Sequence, residues 1–340
     1  MRTPLQGGLP PVDAVVGAVV EIACDESGFS GTNLLRSTAP VITHASVDLG
    51  VDEAIELITT LRSGFRFSPH EFKSGQFLRG PGAAEALGWF LGALRGRASV
   101  HLVDKEFFLV TRIVDLLLTE PSYAAGTRLT QEHRPAALAL YRARRSAGGD
   151  WGAFLAAFVD LVRHKRRPPG RRPVERFFEA RDALARTGLG GPADAVLDGL
   201  DPPRVWAVVT RLDNDDRSIP PPLEPMLPAL AETVLSWSGG QRQVLVTHDE
   251  QSALTADRLT RLQQALAGHG GSSAADAGTV GALPAGTSPL AGLVMVDSRD
   301  DPRVQVADLL AGVARRSPGI VDDALLRPLL SPTSLHDPAR

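Results

Sequence analysis

Val15-Val16-Gly17-Ala18-Val19-Val20-Glu21-Ile22-Ala23-Cys24-Asp25-Glu26-Ser27-Gly28 is the stretch that decides how this chain folds. Val15 to Ala23 is mostly apolar and rich in β-branched residues, the signature of a buried strand. It runs through Cys24 into two adjacent carboxylates and then into two turn formers. An acidic pair at the mouth of a buried strand is costly unless something offsets its charge, and a bound cation is one such offset. Cys24 is the sole cysteine, so no internal disulfide forms. Its place inside the strand reads as a small buried hydrophobe rather than a nucleophile.

Working outward, the basic residues are unevenly chosen. Of 36 lysines and arginines only Lys73, Lys105 and Lys165 are lysine. Two of the three sit beside acids, in His70-Glu71-Phe72-Lys73 and Val103-Asp104-Lys105-Glu106. A lysine retained where arginine is otherwise used points to a need for a compact point charge. These two clusters and the first strand end are read as parts of one polar site.

The rest of the chain supplies the frame. Phe29 to Leu35 and Pro40 to Leu49 read as two more strands, with Val41, Thr43 and Ala45 alternating as in a half-buried strand. Ala54, Ile55, Leu57, Ile58 and Leu61 make an apolar helical stripe from Val51 to about Arg62, and a second helix is expected from Pro81 to Leu94. Ser99 to Val103 reads as a strand ending at Asp104-Lys105, followed by an apolar helix from Phe107 to Leu118. The pattern over 129–200 is helical, Arg204 to Thr210 reads as a strand, and Gln243 to Thr247 is a strand ending at His248-Asp249-Glu250. A helix over 251–267, a strand from Leu293 to Val296 ending at Asp297-Ser298, and a helix from Arg303 to Arg315 close the pattern. The expected organisation is a core over 12–125 and 233–320, a mainly helical insertion over 126–232, and a tail over 321–340.

Net charge is −3 and hydrophobic content 43%, ordinary for a globular protein. Nucleic-acid contact would therefore come from a local patch rather than a global field. No apolar run approaches the roughly 20 residues that span a bilayer. Asp13 and Glu21 bracket Ala14 to Val20, which argues for a strand rather than a signal segment. A cytoplasmic protein without a membrane partner is expected.

Three strands, then helix, strand, helix, strand and a last helix is the element order of an α/β ribonuclease H-like mixed sheet flanked by helices, here with a helical insertion. Asp25-Glu26-Ser27-Gly28, Glu71-Phe72-Lys73, Asp104-Lys105, the strand ending in Asp249, and Asp297-Ser298 followed by Gln305-Val306-Ala307-Asp308-Leu309 resemble the motifs of domain of unknown function family 3800. The resemblance covers about residues 15–110 and 240–316 and implies a ribonuclease H-like fold. It also implies functional roles for Asp25, Glu71, Lys73, Asp104, Lys105 and Asp308.

The residues support the same site independently. Gln305 and Asp308 are three apart on an otherwise apolar helix, so they share a face and need partners. Carboxylates converging at strand ends can hold Mg²⁺ or Mn²⁺, and two such ions about 4 Å apart serve phosphodiester cleavage. Asp25 is the expected shared ligand. Asp308 and one of Glu71, Asp104 or Asp249 would complete the set, with Lys73 and Lys105 neutralising carboxylates or contacting phosphate. Glu26, Ser27, Asp297, Ser298 and Gln305 are expected around them. The function implied is a metal-dependent nuclease or related phosphodiester-processing enzyme. The competing class is a non-catalytic module binding nucleic acid or, through the insertion, a protein partner.

Other signals are weaker. Ser238-Gly239-Gly240-Gln241-Arg242-Gln243 imitates an ABC-type ATPase signature, but no G-x-x-x-x-G-K-[ST] accompanies it, so ATP is not an expected ligand and a glycine turn explains it. Asp213-Asn214-Asp215-Asp216 lacks the glycine and distal glutamate of a calcium loop. Arg163, Lys165, Arg166, Arg167, Arg171 and Arg172 could grip a nucleic-acid backbone or simply form a solvated loop.

Overall fold

The computed structural model describes residues 8–9, 19–29, 31, 33–35, 39–65, 74–79, 82–163, 172–269, 282–316 and 323–338. Its centre is a five-stranded mixed sheet in the order β3-β2-β1-β4-β5, built from β1 (Val19–Ser27), β2 (Val41–Val47), β3 (Ala98–Asp104), β4 (Gln243–Asp249) and β5 (Leu290–Val296). β1 pairs antiparallel with β2 and parallel with β4, and β4 pairs parallel with β5. The bonds Asp48 N–H to Arg97 O and Lys105 N–H to Pro40 O tie opposite ends of β2 and β3, so these two are antiparallel. Thus β1 is the central strand, between its antiparallel and parallel partners.

By contacts the chain forms two compact units. The first comprises Met1–Phe29, Val41–Leu102 and Ala229–Ser334, and the second Ser30–Pro40, Val103–Pro228 and Leu335–Arg340. In the first, α1 (Val51–Gly64), α2 (Ser74–Phe77), α3 (Ala83–Ala93) and α12 (Pro302–Arg316) cover one face of the sheet. Ala54, Leu57, Ile58 and Leu61 of α1 and Leu87, Phe90 and Leu91 of α3 pack with Ala23, Ala45 and Val47 of the sheet and Val306, Leu310 and Val313 of α12. Burying such side chains stabilises the unit by roughly 1.5–3 kcal/mol each. On the other face, α10 (Met226–Ser238) sends Trp237 Nε1–H to Ser46 Oγ at 2.8 Å. Gly239 and Gly240, both at positive φ, end α10 and turn the chain into β4. α11 (Ala256–His269) is tied to β5 through its Gln263 amide, which donates to Leu290 O.

The second unit is helical: α4 (Lys105–Leu117), α5 (Arg134–Ala143), α6 (Gly148–Val162), α7 (Arg172–Ala185), α8 (Gly191–Asp198) and α9 (Pro202–Asp213). Stacked rings of Phe154 and Phe177, 5.5 Å apart, join α6 to α7. Residues 103–125 group with this helical unit rather than with the sheet's first part.

Two readings of the sequence need correction. Residues 29, 31 and 33–35 form no strand; Gly28 and Gly31 both sit at positive φ and break the extended run. The third strand of the sheet is instead β3, which follows the helices of the first unit. Arg204 to Thr210 is helix: Asp201 caps it by accepting from Arg204 N–H, prolines open it, and Val205, Val208, Val209 and Leu212 recur at helical spacing on its buried side. A run of β-branched residues suggested a strand there, and period and cap outweighed propensity.

Candidate functional site

The parallel pairing of β1 with β4 sets the site. Cys24 lies opposite His248, so Asp25, two residues before the end of β1, and Asp249, the last residue of β4, lie side by side on the same side of the sheet. Backbones there are about 4.8 Å apart. Along that side runs α12, in the same direction as β1. Its Arg303 reaches Glu21 at 3.5 Å, Asp308 lies within electrostatic reach of Asp25, and Arg315 Nε–H donates to Ser27 Oγ at 2.9 Å. Three carboxylates from three elements therefore share one face, above the carboxyl ends of adjoining parallel strands. Beyond that edge is where open α/β sheets commonly bind ligands.

Electrostatics mark Asp25 as the stressed member. It is 5% exposed. Burial pushes its carboxyl well above the usual carboxylate range, and the charges of Glu26, Asp308 and Asp249 push the same way; only the Glu26 backbone N–H, 2.6 Å from Oδ1, opposes them. A cation at this spot would remove the penalty that a proton otherwise relieves.

Neighbouring groups are held in place. Ser298 N–H donates to Asp249 Oδ1 at 2.9 Å. Gln251 Nε2 donates to Glu26 Oε1 at 2.5 Å while its own carbonyl accepts from Ala253 N–H. On the opposite face a buried chain links α10 to β4. His44 Nδ1 lies 2.9 Å from Thr233 Oγ1, His44 Nε2 is 3.2 Å from His248 Nε2, and His248 Nδ1 is 2.8 Å from Asp249 O. Asp249 O can only accept, so His248 carries its proton on Nδ1 and accepts at Nε2 from His44 Nε2–H. Thr233 O–H then donates to His44 Nδ1. Burial holds both rings below the ordinary histidine range, which keeps the chain neutral.

Asp25, Glu26, Ser27, Asp249, Ser298 and Asp308 are thus brought to one region of the first unit. Asp297 is paired with Arg299 at 2.5 Å, and the Gln305 amide donates to Arg299 O, so both serve the turn after β5. Asp104 belongs to the second unit and is its helix cap: Oδ1 accepts from Phe107 N–H at 3.0 Å and Oδ2 from Tyr141 O–H at 2.7 Å. Lys105 opens α4 and is buried. Arg163 ends α6 and Arg172 begins α7. Glu71, Lys73, Lys165, Arg166, Arg167 and Arg171 lie outside the described residues. Among the described residues no three His, Cys, Asp or Glu groups converge tightly enough to hold a metal ion.

Sequence reasoning passed over Gln251, the His44–His248 pair and Arg315. Gln251 carried a signal, because it follows His248-Asp249-Glu250 by one residue. The histidine pair carried none, because its partners are 204 residues apart. No family model, curated protein or solved structure matches the chain.

Proposed function

We propose that the chain is a metal-dependent nuclease or related phosphodiester-processing enzyme of the ribonuclease H-like class, as its resemblance to domain of unknown function family 3800 implies. The observation that carries this reading is Asp25: a buried carboxyl on the central strand, raised in pKa by burial and by acids on the same strand, on β4 and on α12. Groups perturbed in this way by burial and like charge concentrate at functional sites. The central placement of β1, the neighbouring Asp249 and the alignment of α12 support the same class.

Asp25, Asp249 and Asp308 do not converge tightly enough in this structure to hold a metal ion; drawn closer together, they would be the ligands of Mg²⁺ or Mn²⁺, oxygen-seeking ions that supply an activated water and stabilise a leaving oxygen. The chain's own work is positional. Ser298 fixes Asp249 and Gln251 fixes Glu26. Asp104, with both oxygens engaged, leaves fewer carboxylates for ligation, which favours the second reading of a module that binds nucleic acid without cutting it.

Incubating the protein with labelled single-stranded, duplex and hybrid nucleic acids, with Mg²⁺, Mn²⁺ or chelator, separates the two. Metal-dependent cleavage abolished by Asp25→Asn supports the enzyme. Retention of every substrate without cleavage overturns it in favour of the binding module.

A further inference from the structure

The last turn of α12 carries two adjacent arginines that the acid site does not use. Arg315 and Arg316 are both half-buried, and among the described residues neither pairs with a carboxylate. Elsewhere arginines near acids pair readily: Arg299 with Asp297, Arg303 with Asp301, Arg142 with Asp337. Partial burial and the neighbouring charge of Arg316 both act against the protonated form of Arg315. The helix C-terminus offsets part of this cost, since its exposed carbonyls favour cations.

Each arginine is also seated by a serine. Arg315 Nε–H donates to Ser27 Oγ at 2.9 Å, and Arg316 Nη1 donates to Ser74 Oγ at 2.5 Å. Both seats depend on a missing Cβ. One added at Gly28, which has φ +90°, would lie 2.6 Å from Arg315 Cδ and 2.6 Å from Val41 O. One added at Gly312 would overlap the Ser74 hydroxyl. With Nε anchored on Ser27, the two terminal nitrogens of Arg315 remain as a fork, the arrangement that grips two oxygens of one phosphate.

Ser27 stands two residues beyond Asp25 on the same face of β1, about 7 Å along the strand. Arg315 stands seven residues beyond Asp308 on α12, about 10 Å along the helix. That offset matches two to three nucleotides of stacked strand at about 3.4 Å each.

We propose that Arg315 and Arg316 form a phosphate clamp that grips the backbone of a nucleic-acid strand about two nucleotides from the acid cluster. The clamp deepens the proposed function, resting on that reading for the identity of the strand, while the binding it predicts is measured without turnover. The probe is a short, end-labelled single-stranded oligonucleotide, followed by fluorescence anisotropy with Ca²⁺ as a non-cleaving ion. Arg315→Gln weakens binding about tenfold, the size of one charge-assisted contact, and lowers the salt slope by about one. Arg315→Lys, which keeps the charge and loses the fork, recovers only part. Ser27→Ala, which leaves the charge and frees its orientation, costs about threefold. Should Arg315→Gln fail to fold, wild-type protein is titrated with oligonucleotides carrying one neutral methylphosphonate at successive positions, and one position alone should cost about tenfold.

Affinity and salt slope unchanged in folded Arg315→Gln and Arg316→Gln, or a flat methylphosphonate series, overturn the clamp. Cleavage that persists beside such a result leaves the enzyme reading intact. Arginine-dependent binding without cleavage in any metal leaves the clamp intact and overturns the enzyme reading.

Discussion

Asp25 and Asp104 look alike in the sequence: each lies within two residues of the end of a strand of the sheet, and each is followed at once by another charged residue. Their surroundings differ completely. Asp104 is surrounded by donors, the backbone of Phe107 and the hydroxyl of Tyr141, and it starts a helix. Asp25 receives one backbone N–H and faces three acids. A carboxylate at a strand end is therefore ambiguous. What separates a cap from a candidate ligand is whether donors already satisfy it.

The largest expected effect comes from making one chemical change at both positions. Asp25→Asn removes the ligand charge and should lower metal-dependent cleavage by about a thousandfold or more, a scale familiar from removal of groups that stabilise developing charge. Asp104→Asn should leave cleavage within about threefold, because asparagine caps helices as well as aspartate does and can still meet Tyr141. Equal losses in the two variants, measured as initial rates in Mn²⁺, would show that the two carboxylates play the same part.

Truncation at Asp104 should then reveal its own role. Asp104→Ala removes the cap of α4, worth about 1 kcal/mol, and leaves the buried Tyr141 hydroxyl without that acceptor, worth about 1–3 kcal/mol more. Urea unfolding should show the loss, and Tyr141→Phe in the same background should cost little further, since the two residues share one bond. A midpoint for Asp104→Ala equal to wild type would dismiss the cap.

The pH dependence of stability reports on Asp25 directly. Its folded carboxyl keeps a proton to higher pH than the unfolded chain, whose aspartates titrate near about 3.9. The native state binds more protons across that window, so the metal-free protein loses stability as pH rises through it, and the loss is complete above the folded value. Asp25→Asn removes this limb. The gap in Tm between Asp25→Asn and wild type in chelator should widen with rising pH and shrink when Mg²⁺ or Mn²⁺ is added. His44 and His248 act in the other direction: their folded pKa values are lowered, so stability present above about pH 6.5 is lost as pH falls below it. Both proteins share that limb, and subtraction cancels it. A gap independent of pH would show that Asp25 is not protonated in the fold.

Much of this architecture was legible in the chain, and the failures have physical causes. β1, β2, β4 and α12 were readable because each carries a consistent period and a punctuating turn. The false strand at Phe29 to Leu35 came from counting apolar residues across Gly31, which, like Gly28 just before the run, holds a positive φ that breaks an extended run. α9 was misread because Val205, Val208 and Val209 favour strands locally, while the Asp201 cap and the i, i+3, i+4 burial pattern decide otherwise. For the candidate site, the carboxylate-bearing elements could be named, but which carboxylates are already satisfied could not. Tyr141 lies 37 residues from Asp104 and Thr233 lies 189 from His44, and no local pattern reports such pairings.

The smallest expected effect tests how far the two faces of the sheet are independent. Thr233→Val keeps the shape of the side chain and removes the hydroxyl that donates to His44 Nδ1. His44 cannot compensate by changing tautomer, because its Nε2–H must go on serving His248 Nε2, whose own Nδ1–H is held by Asp249 O. A buried ring nitrogen is left without a donor, at a cost of about 1–2 kcal/mol. Thr233→Ser restores the donor and should recover most of it. The chain ends on the Asp249 carbonyl and never reaches its carboxylate, which Ser298 orients from the other side. Oligonucleotide affinity and cleavage in Thr233→Val should therefore stay within about threefold of wild type even as the urea midpoint falls. If activity fell a hundredfold while stability barely moved, the histidine chain would be part of the acid site's machinery, and the contrast between a satisfied scaffold and an unsatisfied carboxylate would have to be redrawn to include the opposite face.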